Sequence, residues 1–349
     1  MNVLVAMSGG VDSSAAAALL LEQDHDVTGV TLRLWGGESD SGCCSVGDVE
    51  DARQVAQELG IDHHVFNLAA EFEAHVVGPY VAAHAAGRTP NPCIECNRHL
   101  KFSHLLAAAD RLGFDRLATG HHARIATVGG QAVLLRGVDR AKDQSYVLSM
   151  LTPTQLDRLA FPIGEMTKDE VRTLALGRGL RTATKPESQD TCFIPSTLGR
   201  RGFLTGRTTL RPGVLVERSS GDVVGSVAEV ELVTVGQRKG LGLDAAGRRR
   251  VAVEVDPVAG TVLVADPHEA QVTVLRIDPE TVTWTGVPLL DGEATSVQVR
   301  SHGAALRAWI EEGAIRLEQP TDPVAPGQTV AFYDADWPEV VRGSAVVVR

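Results

Sequence analysis

Strand-like and helix-like patterns alternate along the first 120 residues of the chain. Continuous apolar runs predict buried strands at residues 2–7, 25–34, 62–68 and 115–121. Apolar residues at helical spacing predict helices at residues 12–23, 45–60, 71–86 and 97–112. Such repeated strand–helix–strand units predict a parallel sheet covered on both faces, with ligands bound beyond the carboxyl ends of the strands.

The pattern changes after His122. We predict a hairpin around Gly129 and Gly130, helical material at residues 142–179 and a polar loop at residues 182–195. From about residue 211 helical spacing almost disappears, and short apolar runs predict strands at residues 213–217, 230–235, 251–255, 261–265, 271–277, 295–299, 314–318, 329–333 and 344–348. The predicted fold class is therefore α/β, with a parallel-sheet domain at residues 1–200 followed by two small β-barrel-like domains at residues 201–268 and 269–349.

Composition fits a cytoplasmic globular protein. The 349 residues are 44% hydrophobic and 22% charged, and the chain shows neither an apolar run long enough for a membrane nor a signal peptide. The net charge of -11 argues against nucleic-acid binding, but residues 165–250 hold 15 basic and 10 acidic side chains. We therefore expect any nucleic-acid contact to involve the middle of the chain, although a solvated charged face is the simpler explanation.

The stretch MSGGVDSS, residues 7–14, follows the first predicted strand and opens the first predicted helix. Gly9 and Gly10 allow backbone N–H groups to converge, and the helix start favours an anion. The stretch lacks both a Walker lysine and a GxGxxG fingerprint. An ordinary strand-to-helix turn is the alternative, but the full string resembles the pyrophosphate loop of enzymes that cleave ATP between the α and β phosphates.

Cysteines are the second group of candidate residues. Cys93 and Cys96 form a CxxC at a predicted helix start, where a thiol pKa is lowered, so a nucleophile, a redox pair, a zinc site and an iron–sulfur ligand set are all open. Cys192 lies at the end of the polar loop, either partly exposed or as a small buried side chain. Cys43 and Cys44 are adjacent, and we interpret them as structural or loop thiols. The odd total of five argues against a disulfide framework.

Two further patterns carry charge or titratable groups. Arg238 and Lys239 lie in the glycine-rich stretch GQRKGLG, which suits a phosphate backbone or simply an exposed β-turn. His121 and His122 follow a predicted strand, where they could contact phosphate, act as acid or base, or cap the strand. Since neighbouring strand residues face opposite ways, we expect at most one of the two to line a site.

The ordered set SGGVDSS, TPNPCIECN, ATGHH, KDQSY, TCFIP, GQRKGLG and PGQTVAFY closely resembles the tRNA-specific 2-thiouridylases. The resemblance implies a PP-loop ATPase domain of the adenine nucleotide α-hydrolase type, with two small β-domains that hold tRNA. It also implies the reaction, in which ATP adenylates the 2-carbonyl oxygen of the wobble uridine and sulfur then displaces AMP. ATP with Mg2+ is the implied cofactor, and the implied partners are tRNAs for Lys, Glu and Gln and a persulfide donor protein.

The resemblance also implies roles for individual residues. The implied ATP-binding residues are Ala6, Met7, Ser8, Gly9, Gly10, Val11, Asp12, Ser13, Leu32 and Gly120. The implied target-base loop is Asn91, Pro92 and Cys93, and the implied tRNA contacts are His121, Lys142, Asp143, Gln144, Arg300, Ser301 and Gln328. We add Arg238 and Lys239 to the expected tRNA contacts because the glycine-rich stretch GQRKGLG suits a phosphate backbone. Cys192 resembles the persulfide-bearing residue, and Cys96 resembles the cysteine that releases the product by forming a disulfide with it.

One position departs from the family pattern. Many members carry Asp where this chain has Cys93, and there the carboxylate is assigned acid–base work. Cys93, Cys96 and Cys192 could instead hold a four-iron, four-sulfur cluster whose open iron binds hydrosulfide. We favour this cluster route over the persulfide route because three thiolates leave one iron accessible.

Other functions remain open at this point. A different PP-loop tRNA thiolase or an amidotransferase-linked synthetase would share the phosphate loop. An RNA-binding module that holds ATP only as a ligand would bind tRNA without releasing AMP. We expect the protein to be a monomer.

Overall fold

The computed structural model describes residues 1–34, 46–186, 191–194, 197–244 and 246–349. Cys43 and Cys44 lie outside the described residues, so the interpretation of these two thiols stays a prediction. Across the described residues, no helix is long and apolar enough to cross a membrane.

The first part of the chain contains a parallel sheet and a hairpin. Its strands are β1 (Asn2–Ala6), β2 (Asp26–Arg33), β3 (Asp62–Asn67), β4 (Arg116–Thr119), β5 (Ala123–Val128), β6 (Gln131–Arg136) and β7 (Leu159–Ala160). The sheet order is β3-β2-β1-β4-β7, and all of its neighbouring strands are parallel. Strands β5 and β6 form the hairpin predicted around the glycine pair.

Helices cover both faces of this sheet. The α-helices are α1 (Val11–Glu22), α2 (Val46–Leu59), α3 (Ala69–Phe72), α4 (Gly78–Ala85), α5 (Pro92–Glu95), α6 (Leu106–Arg111), α7 (Pro153–Leu156), α8 (Lys168–Gly177) and α9 (Gly199–Leu204). Wider π-helical segments, Glu73–Val77 and Cys96–Leu105, join α3 to α4 and α5 to α6. Short 3-10 helices span Ser145–Leu148, Arg181–Thr184 and Val230–Leu232.

Strand β1 shows why both faces need cover. Val3 and Val5 belong to one buried cluster, with the alanines of α1, whereas Leu4 belongs to the other, with Phe72 and Leu100. Successive strand residues point to opposite faces, so a strand that is apolar throughout must be buried on both sides. This is the arrangement predicted for the first domain.

Two further β units follow. Their strands are β8 (Gly213–Glu217), β9 (Val223–Val227), β10 (Val251–Asp256), β11 (Thr261–Ala265), β12 (Val272–Trp284), β13 (Ala294–Gln298), β14 (Leu306–Glu311), β15 (Ala314–Thr321), β16 (Thr329–Asp334) and β17 (Val341–Val347). The first four form a sheet in the order β10-β11-β8-β9, in which β11 and β8 are parallel. The others close a barrel in the order β12-β15-β14-β13-β16-β17. The α/β class with following β units is confirmed.

One predicted strand is wrong, and three strands, β7, β9 and β14, were not predicted. Strand β7 has only two residues and lies where helical material was predicted. Residues 230–235 begin with a 3-10 helix instead of a strand. Glu231 is buried there, and its carboxylate accepts hydrogen bonds from the backbone N–H and the guanidinium of Arg211, which holds the segment in a turn. Strands β9 and β14 carry glycine, serine or charged residues that hid their alternation.

The closed barrel packs directly against the first domain. Tyr146 donates its hydroxyl to the carbonyl of Thr329 at 2.7 Å, and the hydroxyls of Tyr333 and Ser145 lie 3.1 Å apart. The guanidinium of Arg136 stacks 3.6 Å above the Tyr333 ring. Because aromatic rings and satisfied polar groups fill this junction, the barrel is held against the part of the first domain that carries the site.

Candidate active site

The sheet order reverses between β1 and β4, because the chain runs outward through β2 and β3 on one side and returns to the other side at β4. Strands β1 and β4 therefore lie at the switch point of the sheet, and the loops that follow them line a crevice at its carboxyl end. Crevices of this kind are where open α/β sheets bind ligands. The stretch at Ser8 and the stretch at Gly120 are the two loops concerned.

The Ser8 loop is held in shape by its own hydroxyl groups. The backbone N–H of Ser8 donates to Ser13 Oγ at 3.1 Å, and the hydroxyls of Ser13 and Ser14 donate to the carbonyl of Gly10 at 3.1 and 2.9 Å. Gly9 has a φ of +70°, and a Cβ on it would lie 2.2 Å from the carbonyl oxygen of Asp48. Only glycine fits this position without a shift of the backbone.

Gly120 brings the second loop against the start of α1. A Cβ at this position would lie 2.6 Å from both the carbonyl carbon of Asp12 and the amide nitrogen of Ser13. Glycine is needed here for close approach. The two loops therefore form one continuous wall at the start of α1, whose first N–H groups and positive dipole end favour an anion.

Asp12 lies on this wall between two basic side chains. Its carboxylate oxygens lie 2.7 and 2.8 Å from Lys168 Nζ, and Oδ1 lies 3.3 Å from His122 Nε2. Burial by itself raises the pKa of Asp12, but the hydrogen bonds from His122 and Lys168 outweigh burial and lower the pKa below its usual value. Asp12 is therefore ionised near neutral pH.

A second lysine holds the backbone of the Ser8 loop in place. Lys185 Nζ donates to the carbonyl of Gly9 at 2.9 Å and to the carboxylates of Asp48 at 2.6 Å and Asp51 at 2.5 Å. Burial lowers the pKa of Lys185, but the hydrogen bonds to Asp48 and Asp51 raise it more, so the net shift is upward. The lysine ties the loop to α2 and to the chain that leads toward Cys192.

The CxxC lies at a capped helix start, as predicted. Asn91 Oδ1 accepts hydrogen bonds from the N–H groups of Cys93 at 3.1 Å and Ile94 at 3.4 Å, which starts α5. Cys93 is exposed, whereas Cys96, at the first residue of the following π-helical segment, is buried. The backbone N–H of Thr89 donates to the carbonyl of Pro326 at 2.8 Å, so the barrel supports the loop that carries both cysteines.

An aromatic cluster places Cys192. Its neighbour Phe193 is 2% exposed and contacts the rings of Phe72, Tyr80 and Phe203 at centroid distances of 5.6, 5.4 and 5.0 Å. Cys192 itself is half-buried, in agreement with the partial exposure predicted for it. Phe193 thus anchors the segment while the thiol next to it faces the site.

One cavity of about 590 Å³ joins these parts. Its lining includes predicted residues of the ATP, target-base, tRNA and catalytic-cysteine sets, namely Ala6, Met7, Ser8, Asp12, Ser13, Leu32, Asn91, Pro92, Cys93, Cys96, Gly120, His121, Asp143, Gln144, Cys192 and Ser301. A cavity of this volume is in the range of sites for small molecules and cofactors. The structure thus brings the Ser8 loop and the three cysteines to the same cavity.

Other predicted residues lie around the cavity without lining it. Gly9, Gly10 and Val11 are the backbone of the phosphate loop and the first turn of α1. Gln328 donates to the carbonyl of Thr89, and exposed Arg300 directly precedes Ser301. Lys142 is half-buried beside Asp143.

Arg238 and Lys239 are exposed in the middle unit, where Arg238 pairs with Asp322 at 2.7 Å. Arg211 and Arg250 of the same unit pair with Glu231 and Glu217. The local excess of positive charge is therefore partly neutralised by neighbouring carboxylates.

Several polar residues at the site support others. Asp143 accepts hydrogen bonds from Arg136 at 2.8 Å and from the N–H groups of Gly137 and Ser145 at 3.0 Å, while Gln144 accepts from the N–H of His122 at 2.8 Å. Asp143 and Gln144 therefore hold the wall of the cavity as well as lining it.

The two adjacent histidines separate as predicted. His121 lines the cavity, and burial lowers its pKa well below the usual value, so its ring is neutral at pH 7. Its Nδ1 lies 2.6 Å from the hydroxyl of Thr119. His122 points instead toward Asp12.

The three cysteines do not form a ready cluster site. Within the described ranges, which include Cys93, Cys96 and Cys192, no group of three or more His, Cys, Asp or Glu side chains is arranged to hold a metal ion. Exposed Cys93 and buried Cys96 also have very different surroundings. In this arrangement the residues do not fit an iron–sulfur cluster.

Lys168, Lys185 and Asp48 are functional candidates that sequence reasoning missed. Thr167 and Glu170 form a capping box at the start of α8, but nothing local indicates that Lys168 contacts a carboxylate 156 positions away. The contact could not be predicted because the two residues are far apart along the chain, and only the fold brings α8 to α1.

The fold and the site define a PP-loop nucleotide-binding enzyme with β units attached. Residues 1–196 match the family described as "tRNA methyl transferase HUP domain", and residues 201–266 match "tRNA methyl transferase PRC-barrel domain". The chain is 44% identical to a tRNA-specific 2-thiouridylase MnmA of Saccharopolyspora erythraea, covering 99% of both chains, and 45% identical to one of Herpetosiphon aurantiacus, covering 96% of both. The chain belongs to the tRNA-specific 2-thiouridylase family, which confirms the resemblance seen in its motifs.

Solved structures offer weaker likenesses. A 4-thiouridine synthetase–RNA complex with bound ATP is 18% identical, with a TM-score of 0.38, over 55% of this chain and 45% of that chain. An NMN synthetase of Francisella tularensis is 17% identical, with a TM-score of 0.34, over 54% of this chain and 66% of that chain. Likenesses at these scores support no conclusion about function.

Proposed function

We propose that the protein catalyses the ATP-dependent 2-thiolation of the wobble uridine of tRNA. The observation that carries this proposal is the shared cavity, in which the phosphate loop and the cysteines Cys93, Cys96 and Cys192 face the same space. Neither half alone would specify this reaction. Membership in a family of tRNA-specific 2-thiouridylases supports it independently.

The ATP half of the site solves a leaving-group problem. The 2-carbonyl oxygen of uridine does not leave as hydroxide under mild conditions. In the proposed first step this oxygen attacks the α-phosphate of ATP, the bond to the β-phosphate breaks, and pyrophosphate leaves as the N3 proton of the base is lost. The product carries the oxygen as an adenylate, so AMP becomes the leaving group.

The Ser8 loop and the start of α1 would hold the phosphates through backbone N–H groups. Oxygen donors are what Mg2+ prefers, and the Asp12 carboxylate beside the loop fits an ATP-bound Mg2+, which would offset phosphate charge. Leu32 and Gly120 line the same wall.

The cysteine half delivers sulfur. In the proposed second step Cys192 carries a persulfide from a donor protein, its outer sulfur attacks C2, and AMP leaves with the oxygen. Cys96 then attacks the inner sulfur of Cys192, which forms a Cys96–Cys192 disulfide and releases the thiolated base as N3 is protonated. A thiol reductant must restore both cysteines before the next turnover.

The tRNA would lie across the rim formed by the first domain and the barrel. Asn91, Pro92 and Cys93 would meet the target base, with His121, Lys142, Asp143, Gln144, Arg300, Ser301, Gln328, Arg238 and Lys239 as further contacts. The proposed substrates are tRNAs for Lys, Glu and Gln, and the expected site of action is the cytoplasm. We propose the three domains of residues 1–200, 201–268 and 269–349 as the working division.

A single assay tests the proposal. Protein, tRNA, MgATP and a persulfide donor are incubated, and both AMP and 2-thiouridine are measured. We expect the two products in equal amounts after correction for uncoupled hydrolysis. tRNA binding without AMP release would instead indicate an RNA-binding module, and AMP release with a different modified base would indicate another tRNA thiolase.

The persulfide route and the cluster route separate by iron content. The arrangement of the cysteines supports the persulfide route, so we expect full thiolation by protein purified without iron. Anaerobic protein that contains about four irons and four sulfides, and that loses activity when iron is removed, would favour a rearranged cluster site at Cys93, Cys96 and Cys192.

A further inference from the structure

The phosphate loop carries no cation of its own. Residues 6–14 contain no lysine or arginine, whereas the Asp12 carboxylate lines the cavity. A triphosphate in this cavity would meet favourable N–H groups and, at short range, one negative charge. Lys101 and Asp143 line the cavity from other elements. At the start of α1 itself, binding of a polyanion without Mg2+ is therefore hindered unless a positive group offsets the charge on Asp12.

Lys168 places a cation at this point. Its Nζ lies 2.7 and 2.8 Å from the two oxygens of Asp12, and its side chain is 9% exposed. Lys168 is the first residue of α8, where Thr167 and Glu170 form a capping box. Its backbone N–H donates to Asp139 at 3.0 Å. Both the backbone and the ammonium group are fixed, so Lys168 is a built part of the site.

Lys185 lies near the same loop but has a different structural role. It contacts two carboxylates, those of Asp48 and Asp51, and the carbonyl of Gly9. Its charge is balanced locally by these acids, and it holds loop backbone. Lys168, in contrast, faces Asp12, the carboxylate that lines the cavity at the start of α1 beside the Ser8 loop.

We propose that Lys168 is a positioning residue of the ATP site that acts through Asp12. It neutralises and orients this carboxylate, which lets the triphosphate occupy the Ser8 loop. The inference rests on the proposed function, because it takes the loop as the seat of the ATP phosphates. It follows that Lys168 affects binding of the phosphates and not of the adenosine part.

The first test compares ATP with adenosine. Lys168→Met keeps the apolar stem and removes the charge, and binding is measured by equilibrium dialysis in EDTA so that Mg2+ does not contribute. We expect the ATP Kd to rise about tenfold and the adenosine Kd to change less than twofold. Arg178→Met removes one positive charge from the other end of the same helix, and we expect it to change neither constant.

The second test reverses the sign of the effect. Asp12→Asn removes the repulsion and leaves Lys168 facing the phosphates, so metal-free ATP should bind more tightly than to the parent protein. The double variant Asp12→Asn/Lys168→Met should bind metal-free ATP with an affinity within about threefold of the parent protein. Lys168→Arg keeps the positive charge and should therefore keep most of the parent's affinity for ATP.

Two results would overturn the inference. One is a folded Lys168→Met variant that loses affinity for ATP and adenosine equally, which indicates a structural role. The other is weaker metal-free ATP binding by Asp12→Asn, which also decides the question should Lys168→Met fail to fold. A parent protein that binds ATP but forms no 2-thiouridine would contradict the proposed function while these binding comparisons still hold.

Discussion

The two sides of the cavity are built in different ways. The phosphate side is built around one continuous stretch, residues 8–14, whose serines bond to its own backbone. The cysteine side brings together residues from distant parts of the chain. These are Cys96, Cys192 next to the aromatic cluster around Phe193, and Ser301 of the barrel. The proposed phosphate side thus has a local centre, against which Gly120, Lys168 and Lys185 pack, whereas the cysteine side depends throughout on packing between distant parts of the chain.

Because of this difference, substitutions on the two sides of the cavity should impair different steps. A change on the phosphate side should impair ATP binding and every later step. A change on the cysteine side should spare ATP binding and impair sulfur transfer. The predictions below test that division.

The largest effect is expected at the two transfer cysteines. Cys96→Ser and Cys192→Ser should each reduce 2-thiouridine formation below detection, because a hydroxyl neither carries a persulfide nor displaces one. The ATP Kd should stay within twofold of the parent. Thiolation by either variant would remove the role assigned to that residue, and loss of ATP binding would show that the two sides are not separable.

Gly120→Ala attacks the phosphate side. The added Cβ would meet backbone atoms of Asp12 and Ser13 at 2.6 Å, so we expect at least a tenfold weaker ATP Kd and a loss of about 1–3 kcal/mol in unfolding free energy. Isothermal titration and urea unfolding measure the two. Gly177→Ala in α8 is the matched control, since a Cβ there meets no atom within 4 Å, and it should leave both unchanged or raise stability.

Acid should destabilise the packing around Phe193. Burial, reinforced by Arg200, lowers the pKa of His84 to about 4, and its ring contacts Tyr80, which contacts Phe193. The unfolded chain binds a proton near pH 6.5 and the native state only near 4, so stability falls as the pH drops through this window, by up to about 3 kcal/mol.

His84→Leu removes this titration. We expect urea unfolding at pH 7 and pH 4.5 to show a smaller loss for the variant than for the parent. Equal losses in both proteins would mean that other groups govern acid stability.

A smaller effect is expected where the barrel meets the first domain. Tyr146→Phe removes the hydroxyl that donates to Thr329 and leaves a buried carbonyl without that donor, which costs about 1–2 kcal/mol. Because the barrel supports the loop before Cys93, thiolation should fall a few-fold while ATP binding is kept. An equal fall in ATP binding would argue that the barrel supports both sides of the cavity.

The smallest effect is expected at the exposed pair Arg238 and Lys239. Arg238 is already paired with Asp322, so replacing both by Gln should weaken tRNA binding only about threefold. The salt dependence of tRNA affinity should also become less steep. Unchanged affinity and slope would place the tRNA elsewhere on the surface.

The sequence by itself determined the parts whose signals are local. The apolar run of β1, the glycines of the phosphate loop, the Asn91 cap and the capping box of α8 each depend on residues within a few positions of one another. Backbone sterics and hydrogen bonding act over that range, so the α/β class and the CxxC helix start could be predicted. The strand expected at residues 230–235 was wrong because buried Glu231 accepts a hydrogen bond from Arg211, 20 positions away.

Only the tertiary structure decided which of these parts meet. The order of the parallel sheet opens the crevice between β1 and β4, and the aromatic cluster around Phe193 carries Cys192 to it. Lys168 reaches Asp12 and Lys185 reaches Gly9 across more than 150 positions of chain. Contacts of that separation leave no periodic or compositional trace, because they arise from packing and charge pairing after the elements have formed.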